Sequence, residues 1–396
     1  MQRMLLDYTQ SSMSTYTADC SGVACALYEL GGMTVIHDAS GCNSTYATHD
    51  EPRWTTMPSA VYITALAEMD AVMGNEEKVV ADIVDAVHDV TPAFVAIAGT
   101  PIPTMTGSDL KGIASLVEKR TGTPAFAVAT NSMRPYSVGV AMSWIEIARR
   151  FTDESIVDKT HDINFMGVTP LDFSMGPMLD SLYKAADKAG FTVIADWAMR
   201  SSLEDLAATL AARVNVVVSA SGLPLAQYYE ARYGMPYVVG LPVGELAPRW
   251  EKAIRFAMEK HRSVPLKDFL GKDEGSTSIA VVGEPIHAAC TAAANNLISP
   301  ASTRALSVLP SLGANAPILT PDLSEDTLRE ALKTSKTLAG DPLFNIIANE
   351  AHCLRTVGFP HEACSGRWYS NDVVDILDAD RFRQFQLHLN GPISQF

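Results

Sequence analysis

Several familiar functional signatures are missing from this chain of 396 residues. It contains no Walker A phosphate loop, no Gly-x-Gly-x-x-Gly dinucleotide fingerprint and no Gly-x-Ser-x-Gly nucleophile elbow. It also lacks Cys-x-x-Cys pairs and a His-Glu-x-x-His pair, which removes most zinc sites. The chain is therefore not expected to hydrolyse ATP or to bind zinc through a conventional motif.

Basic residues and long apolar runs are also scarce. The 30 Lys and Arg residues are outnumbered by 45 Asp and Glu, and the net charge of −15 disfavours nucleic acid as a partner. No stretch provides the ~18 uninterrupted apolar residues of a membrane span. Residues 1–10 show no secretory signal pattern. We therefore expect a cytoplasmic protein that binds neither nucleic acid nor a membrane.

The six cysteines are too few and too scattered for a disulfide framework in a chain of this size. In a cytosolic protein such cysteines are thiols or metal ligands. Apolar residues make up 47% of the chain, which suits well-packed domains and argues against disorder. The length indicates two or three such domains.

Short apolar strands alternate with helical stretches along most of the chain, a pattern typical of parallel sheets in doubly wound α/β domains. We predict three α/β domains, 1–160, 161–272 and 273–396. The predicted strands are 33–36, 93–98, 125–129, 163–168, 192–195, 214–219, 237–240, 279–282, 305–309, 337–339 and 356–359. Segment 59–90 is predicted to be helical with a break at Gly74, and segment 266–276 to be a linker.

Cys42 is the most informative residue for function. It follows the predicted strand 33–36 on a polar turn with Gly41, and ligands in α/β folds bind at the carboxyl ends of strands. A cysteine that only fills space lies more often within an apolar run. Free cysteines are nevertheless often inert, so the turn by itself leaves both cluster ligation and an unreactive thiol open.

Cys20 precedes the same helix-plus-strand unit, with 25–29 predicted as the helix. A helix that packs back along its following strand would bring loop residues Cys20 and Cys42 to one edge of the sheet. Two thiolates cannot complete a cubane cluster, which ordinarily takes four. A twofold dimer would supply two thiolates from each subunit, and twofold symmetry is the commonest oligomeric arrangement.

Asp19–Leu27 followed by residues 35–42 resembles the segments with the first two cluster cysteines of the nitrogenase component 1 superfamily. That superfamily includes nitrogenase molybdenum-iron protein subunits, dark-operative protochlorophyllide and chlorophyllide reductases, and the reductive cyclase of coenzyme F430 synthesis. Further segments agree with the family in order and roughly in spacing: 70–78, 94–101, 106–110, 190–197 and 233–237. Asn75 stands where the family has a second glycine.

The resemblance implies three Rossmann-like domains and a [4Fe–4S] cluster held by Cys20 and Cys42 at a dimer interface. The dimer would be a homodimer or a paralogous heterodimer in an anaerobic host. Electrons would come from a separate ATP-hydrolysing iron–sulfur reductase and would reduce a substrate in the cleft between domains. The substrate could be a tetrapyrrole or a small molecule.

Two departures from the family pattern limit this expectation. The third cluster cysteine would fall at Pro101, so an eight-iron cluster would lack a ligand. The cysteine that holds the active-site cofactor of nitrogenase would fall near Ser219 to Ser221, where none is present. Dinitrogen reduction is therefore not expected.

Two other functions stay open. The protein could be a scaffold on which a metallocofactor is assembled, or one half of a heterodimer whose partner holds the active site. Fold resemblance alone does not select among these, because function depends on the site.

The remaining candidates have both a catalytic and an ordinary explanation. His49 and Asp50 could act as general acids near the cluster, or the run 48–54 could be a solvated loop or a subunit contact. Cys25 and Cys290 are predicted to be packed thiols. Cys353 and Cys364 are predicted to be structural, although Cys364 could face a substrate cavity. His37 and Asp38 could order the cluster loop or be ordinary turn residues.

Overall fold

The computed structural model describes residues 10–39, 51–58, 60–272, 277–299 and 303–391. The strands are β1 Met33–His37, β2 Val61–Ile63, β3 Val95–Gly99, β4 Ala125–Val128, β5 His161–Met166, β6 Ala212–Val217, β7 Tyr237–Val239, β8 Ile279–Val282, β9 Thr303–Leu306, β10 Leu319–Thr320, β11 Thr337–Gly340 and β12 Arg355–Gly358. The helices are α1 Asp19–Leu27, α2 Glu68–Met73, α3 Glu76–Val90, α4 Pro101–Thr106, α5 Leu110–Thr121, α6 Tyr136–Phe151, α7 Pro170–Phe173, α8 Met178–Lys188, α9 Leu203–Ala207, α10 Leu223–Tyr233, α11 Ala247–Lys260, α12 Leu266–Leu270, α13 Pro285–Ile298, α14 Glu325–Leu332, α15 Asn345–Glu350, α16 Glu362–Ser365 and α17 Ala379–Asn390.

These strands form three sheets, in the orders β2-β1-β3-β4, β5-β6-β7 and β10-β9-β8-β11-β12. Every strand pairing is parallel. Strands β1 and β3 are buried along their whole length, as expected for near-continuous apolar runs covered by helices on both faces. The predicted α/β class with parallel sheets is confirmed. Each sheet lies within one predicted domain segment, and the exact domain boundaries stay a prediction.

Three local predictions were wrong. Segment 59–90 is not all helix, because its short β-branched stretch Val61–Ile63 pairs with β1 as an edge strand. Segment 192–195 makes a single bridge from Val193 to Ile163 and does not form a strand. The predicted linker 266–276 begins with helix α12, which is anchored by the buried side chains of Phe269 and Leu270. No helix among the described residues is long and apolar enough to cross a membrane.

Helices α1 and α6 pass so close that glycine is required on both. A Cβ atom at Gly22 would lie 2.1 Å from the carbonyl oxygen of Tyr136. A Cβ atom at Gly139 would lie 1.9 Å from the carbonyl oxygen of Asp19. Both distances are far below van der Waals contact. The two glycines therefore set the depth at which α1, the helix with Cys20, packs against the rest of the molecule.

Gly139→Ala should lower the free energy of unfolding by about 3 kcal/mol, because the added methyl group forces two backbones apart in a packed interior. Urea unfolding followed by circular dichroism measures the change. Gly358→Ala is the matched control, since nothing lies within 4 Å of a Cβ at that position. Its effect should stay within about 1 kcal/mol. Equal effects of the two substitutions would contradict the close crossing.

Candidate functional site

Cys20 lies in the first turn of α1, whereas the sequence placed it in a loop before the helix. The helix begins earlier than predicted. Ser21 and Gly22 lie inside it, although both residue types usually occur in turns. Asp19 fixes this start. Its buried carboxylate accepts hydrogen bonds from the Asn131 and Ser132 backbone N–H groups at 3.2 and 2.7 Å and from Arg134 Nε at 3.0 Å.

The Cys20 thiol points to the carboxyl edge of the first sheet. Its Sγ donates to the carbonyl oxygen of Gly99, the last residue of β3, at 2.8 Å. The Ser132 and Thr130 hydroxyl oxygens, which follow β4, lie 3.0 and 3.6 Å from Sγ. Burial raises the pKa of this thiol to about 11. The edge position agrees with the prediction, and the isolated side chain is a protonated thiol.

This environment fits one ligand of an iron–sulfur cluster. A thiolate in the first turn of a helix is favoured by the helix dipole, and neighbouring hydroxyls can donate hydrogen bonds to its sulfur. Ligation would replace the bond from the thiol to Gly99. Pro101 starts α4 at the same edge and offers no ligand atom in its side chain.

The other predicted site residues, Cys42, His49 and Asp50, lie outside the described residues, so their roles stay predictions. Within the described ranges, no group of three or more His, Cys, Asp or Glu side chains is arranged to hold a metal ion. A complete ligand set is therefore not contained in the described part of the chain.

His37 and Asp38, at the end of β1, are held by local contacts. The Thr64 hydroxyl lies 2.9 Å from His37 Nδ1 and accepts from the Asp38 backbone N–H at 3.1 Å. Asp38 Oδ1 accepts from the next backbone N–H, that of Ala39, at 2.7 Å. These contacts favour the ordinary turn explanation for both residues, and they fix the chain at the point where residues 40–50 begin.

Glu51 and Arg53 are buried, so this end of run 48–54 is not the solvated loop that was one of the predicted alternatives. Arg53 Nε and Nη2 donate to the two carboxylate oxygens of Glu51 at 2.6 and 3.0 Å. The guanidinium also donates to Glu29 Oε1 at 2.8 Å, to the Cys25 carbonyl at 2.6 Å and to the Ala198 carbonyl at 2.9 Å. The alternating acidic and basic residues of this run did not predict that Glu51 and Arg53 are buried.

Helices α2 and α4 expose apolar side chains beside the first sheet's carboxyl edge. None of the residues of α2 is buried, and α2 contacts α4. The exposed fraction is 68% for Met69, 80% for Val72, 73% for Met73 and 86% for Met105. Contiguous exposed apolar side chains commonly mark an interaction surface. This surface was not predicted from the sequence, because its residues come from two separate helices.

A second polar centre surrounds Asp172, where elements of all three sheets meet. The Asp172 carboxylate accepts hydrogen bonds from the Tyr136, Thr169 and Ser219 hydroxyls, the last two at 3.0 and 3.1 Å. His361 Nε2 lies 3.5 Å from Asp172 Oδ1. We call these five residues, together with Tyr16, Glu284 and His287, the junction cluster.

The junction cluster holds an ionised carboxylate in the interior. Burial opposes ionisation of Asp172, but the His361 imidazole 3.5 Å away, the charge of His287 and the hydrogen bond from Tyr136 together lower its pKa. His361 Nδ1 accepts from the Ala363 backbone N–H at 3.3 Å, so a neutral ring carries its proton on Nε2, toward Asp172. The junction cluster was not predicted, because its members are far apart in sequence and form no motif.

Three buried polar atoms of the junction cluster have no hydrogen-bond partner among the residues that the structure describes: the Tyr16 hydroxyl, His287 Nε2 and His361 Nε2. Unsatisfied buried polar atoms are costly, so each of them is a place where a water molecule or a ligand could supply the missing hydrogen bond. Tyr16 also lines a cavity of about 490 Å³ together with Arg134 and Cys364. Cys364 therefore lines a cavity, and its contact with a substrate stays a prediction.

The other cysteines agree with the packing prediction. Cys25 and Cys290 are buried in the core that joins the sheets. Cys353 is half-buried against a second apolar cluster in the third sheet's region. Cys25 belongs to the same helix as Cys20 but faces the core. One helix therefore contains both a candidate cluster ligand and a packed thiol.

The chain is similar in sequence to two groups of proteins with different functions. It is 25% identical over 179 residues to the nitrogenase iron-molybdenum cofactor biosynthesis protein NifE of Clostridium pasteurianum, covering 45% of this chain and 38% of that protein. It is 23% identical over 218 residues to a light-independent protochlorophyllide reductase subunit of Prosthecochloris aestuarii, covering 53% and 40%. The matched part is thus about two-fifths of the length of these curated relatives.

The fold and the family agree with each other. The solved structure of nitrogenase Cp1 at pH 6.5 superposes with a TM-score of 0.66 over 98% of this chain and 97% of that chain, at 14% sequence identity, which shows a shared fold. Residues 20–254, more than half of the chain, match the family described as nitrogenase component 1 type oxidoreductase. The chain therefore belongs to the nitrogenase component 1 type oxidoreductase family.

Proposed function

We propose that this chain is the iron–sulfur catalytic component of a nitrogenase-like two-component reductase. The observation that carries the proposal is the Cys20 thiol, which points to the carboxyl edge of the first sheet. Membership of the nitrogenase component 1 type oxidoreductase family supports a role for this thiol as a cluster ligand. Cys20 and Cys42 would hold half of a [4Fe–4S] cluster and a second subunit the other half. The cluster would supply one electron at a time from an ATP-hydrolysing iron–sulfur donor.

The surface of α2 and α4 supports a dimer or a donor contact near Cys20. Methionine side chains adapt to partners of different shape, and those of α2 and α4 are largely exposed beside the same sheet edge. A homodimer or paralogous heterodimer that covers this surface would bring two Cys20 residues together. Such an arrangement is consistent with only two cluster cysteines in each chain.

The junction cluster supports reduction in the cleft between the sheets. A reduction consumes protons as well as electrons, and the side chain of His361, oriented by Asp172, is suited to hold a proton near a substrate. The Tyr16 hydroxyl is free to hydrogen-bond a ligand. The cavity of about 490 Å³ has the size of an ordinary small-molecule site. A tetrapyrrole or a smaller unsaturated molecule would be the substrate class.

Scaffolding of a metallocofactor is the second candidate, because several of the similar proteins are NifE cofactor biosynthesis proteins. A scaffold would release its metal cluster to an acceptor protein. A reductase would keep its cluster through repeated cycles of reduction and oxidation. The two functions therefore differ in whether iron stays with the protein during electron transfer.

Cys20→Ala and Cys42→Ala should each abolish iron and sulfide binding and the EPR signal of the reduced, anaerobically purified protein. The wild type should hold about four irons per dimer, the content of one cubane. Cys25→Ala is the matched control, because Cys25 is in the same helix but faces the core. It should keep the cluster. A wild type without iron after anaerobic reconstitution would contradict the proposed function.

Glu284 and His287 give the junction cluster a defined pH dependence. Burial and the nearby charge of Asp172 raise the pKa of Glu284 from 4.5 to about 8, although the backbone N–H groups of Ala220, Ile286 and His287 donate to its carboxylate. Burial lowers the pKa of His287 from 6.5 to about 4. Well above pH 6.5 His287 is neutral in both the folded and the unfolded chain, so of these two residues only Glu284 still differs in protonation as the pH approaches 8.

Between pH 6.5 and 8 the folded Glu284 keeps a proton that the unfolded chain has lost, so its stabilising contribution should fall as the pH rises. The expected slope is ~1.4 kcal/mol per pH unit. In Glu284→Gln this slope should disappear, since glutamine resembles the protonated acid and does not titrate. Urea unfolding at a series of pH values measures it, with exposed Glu259→Gln as the control. Parallel profiles for wild type and Glu284→Gln would refute the assignment.

A further inference from the structure

We propose that Arg53 is a positioning residue for the iron–sulfur cluster. Its guanidinium holds α1 in register with the chain that follows residues 40–50 and with the second sheet. The inference rests on the proposed function. It concerns residues that do not touch the cluster.

All the donors of the Arg53 guanidinium are used, and none is left for solvent. Nε and Nη2 hold both oxygens of Glu51, Nη1 reaches Glu29 Oε1, and the Cys25 and Ala198 carbonyl oxygens accept the remaining N–H groups. The Tyr28 ring lies 4.8 Å from the guanidinium carbon. Because the guanidinium is planar and rigid, these contacts fix directions as well as distances.

The partners of Arg53 come from three separate parts of the chain. Cys25 is in α1, Glu51 is where the described chain resumes after residue 39, and Ala198 lies between β5 and β6 of the second sheet. A single side chain therefore ties the helix with Cys20 to both of the other parts. A displacement of the second sheet's region would pass directly to α1 through Ala198.

Asp19 and Arg53 hold the two ends of α1 independently. At the amino end Asp19 bonds the loop after β4. Toward the carboxyl end Arg53 bonds Cys25, which lies about 7.5 Å along the helix axis from Cys20 at 1.5 Å per residue. A thiolate on a helix fixed at both ends keeps one position relative to the sheet edge, as a cluster ligand must.

Stability alone is a poor explanation for this arrangement. A buried ion pair contributes little net stability, because the cost of removing both charges from water offsets their attraction. Its usual benefit is a defined geometry. Arg53 is completely buried, and its partner Glu51 is almost completely buried. The geometry that it defines is that of α1 and of the segment that follows Cys42 in the sequence.

Arg53→Lys tests the proposal, because lysine keeps the charge and can pair with Glu51 but cannot reach the Cys25 and Ala198 carbonyl oxygens together. We expect folded protein that binds a cluster with altered EPR g-values in the reduced state. Iron should be lost to a ferrous chelator roughly tenfold faster than from the wild type, the scale on which residues that orient metal ligands affect metal binding. All steps use full-length, anaerobically reconstituted protein.

Arg304→Lys is the matched control, since Arg304 bonds a carbonyl oxygen and two hydroxyls in the third sheet's region, and it should leave both readouts unchanged. If Arg53→Lys does not fold, Glu29→Gln replaces it, which removes one charge partner and leaves the pairing with Glu51. The same changes, smaller in size, are then expected. Wild-type g-values and iron release in the folded variant would overturn the role of Arg53. A wild type without iron would instead contradict the proposed function itself.

Discussion

The close crossing of α1 and α6 is the constraint on which the rest of the structure depends. At Gly22 and Gly139 the backbone of one helix occupies the space that a side chain of the other helix would need. Helix α1 therefore packs closer to α6 than a residue with a Cβ atom at either position would allow. That depth brings the Cys20 thiol to the carbonyl of Gly99 at the end of β3. Tyr136, whose backbone meets Gly22, sends its hydroxyl in turn to Asp172. One contact between two backbones thus positions both the candidate cluster ligand and the polar centre between the sheets.

The two polar centres differ in how they manage buried charge. Around Arg53 the charges are fully paired and every donor is satisfied, which produces a fixed geometry. In the junction cluster, Asp172 is surrounded by hydroxyls while His287 Nε2, His361 Nε2 and the Tyr16 hydroxyl lack partners. A network in which every donor is hydrogen-bonded is suited to holding a redox centre rigidly. An incompletely satisfied network is suited to a place where protons and a ligand are exchanged.

The sequence was most reliable where one local rule decides the structure. The apolar runs of β1, β3 and β8 predicted buried parallel strands, and the packing of a helix back along its following strand predicted the place of Cys20 at the sheet edge. The helix start at Asp19 was missed because Gly22 is a local breaker whose reason is the distant α6. The burial of Arg53 and the junction around Asp172 could not be foreseen, because each joins residues more than a hundred positions apart through contacts that no periodicity encodes. The pairing of β2 with β1 was missed for a different reason, since a strand of three residues is too short to show a period of its own.

The central claim is that one cubane cluster is shared by two chains through Cys20 and Cys42. Native mass spectrometry of the anaerobically purified protein tests it most directly, because it weighs the intact assembly with its inorganic content. We expect a species of two subunits with one [4Fe–4S] cluster, which loses the cluster when the subunits separate. Single chains that each retain a complete cluster, or a stable assembly that takes up no iron on reconstitution, would contradict it.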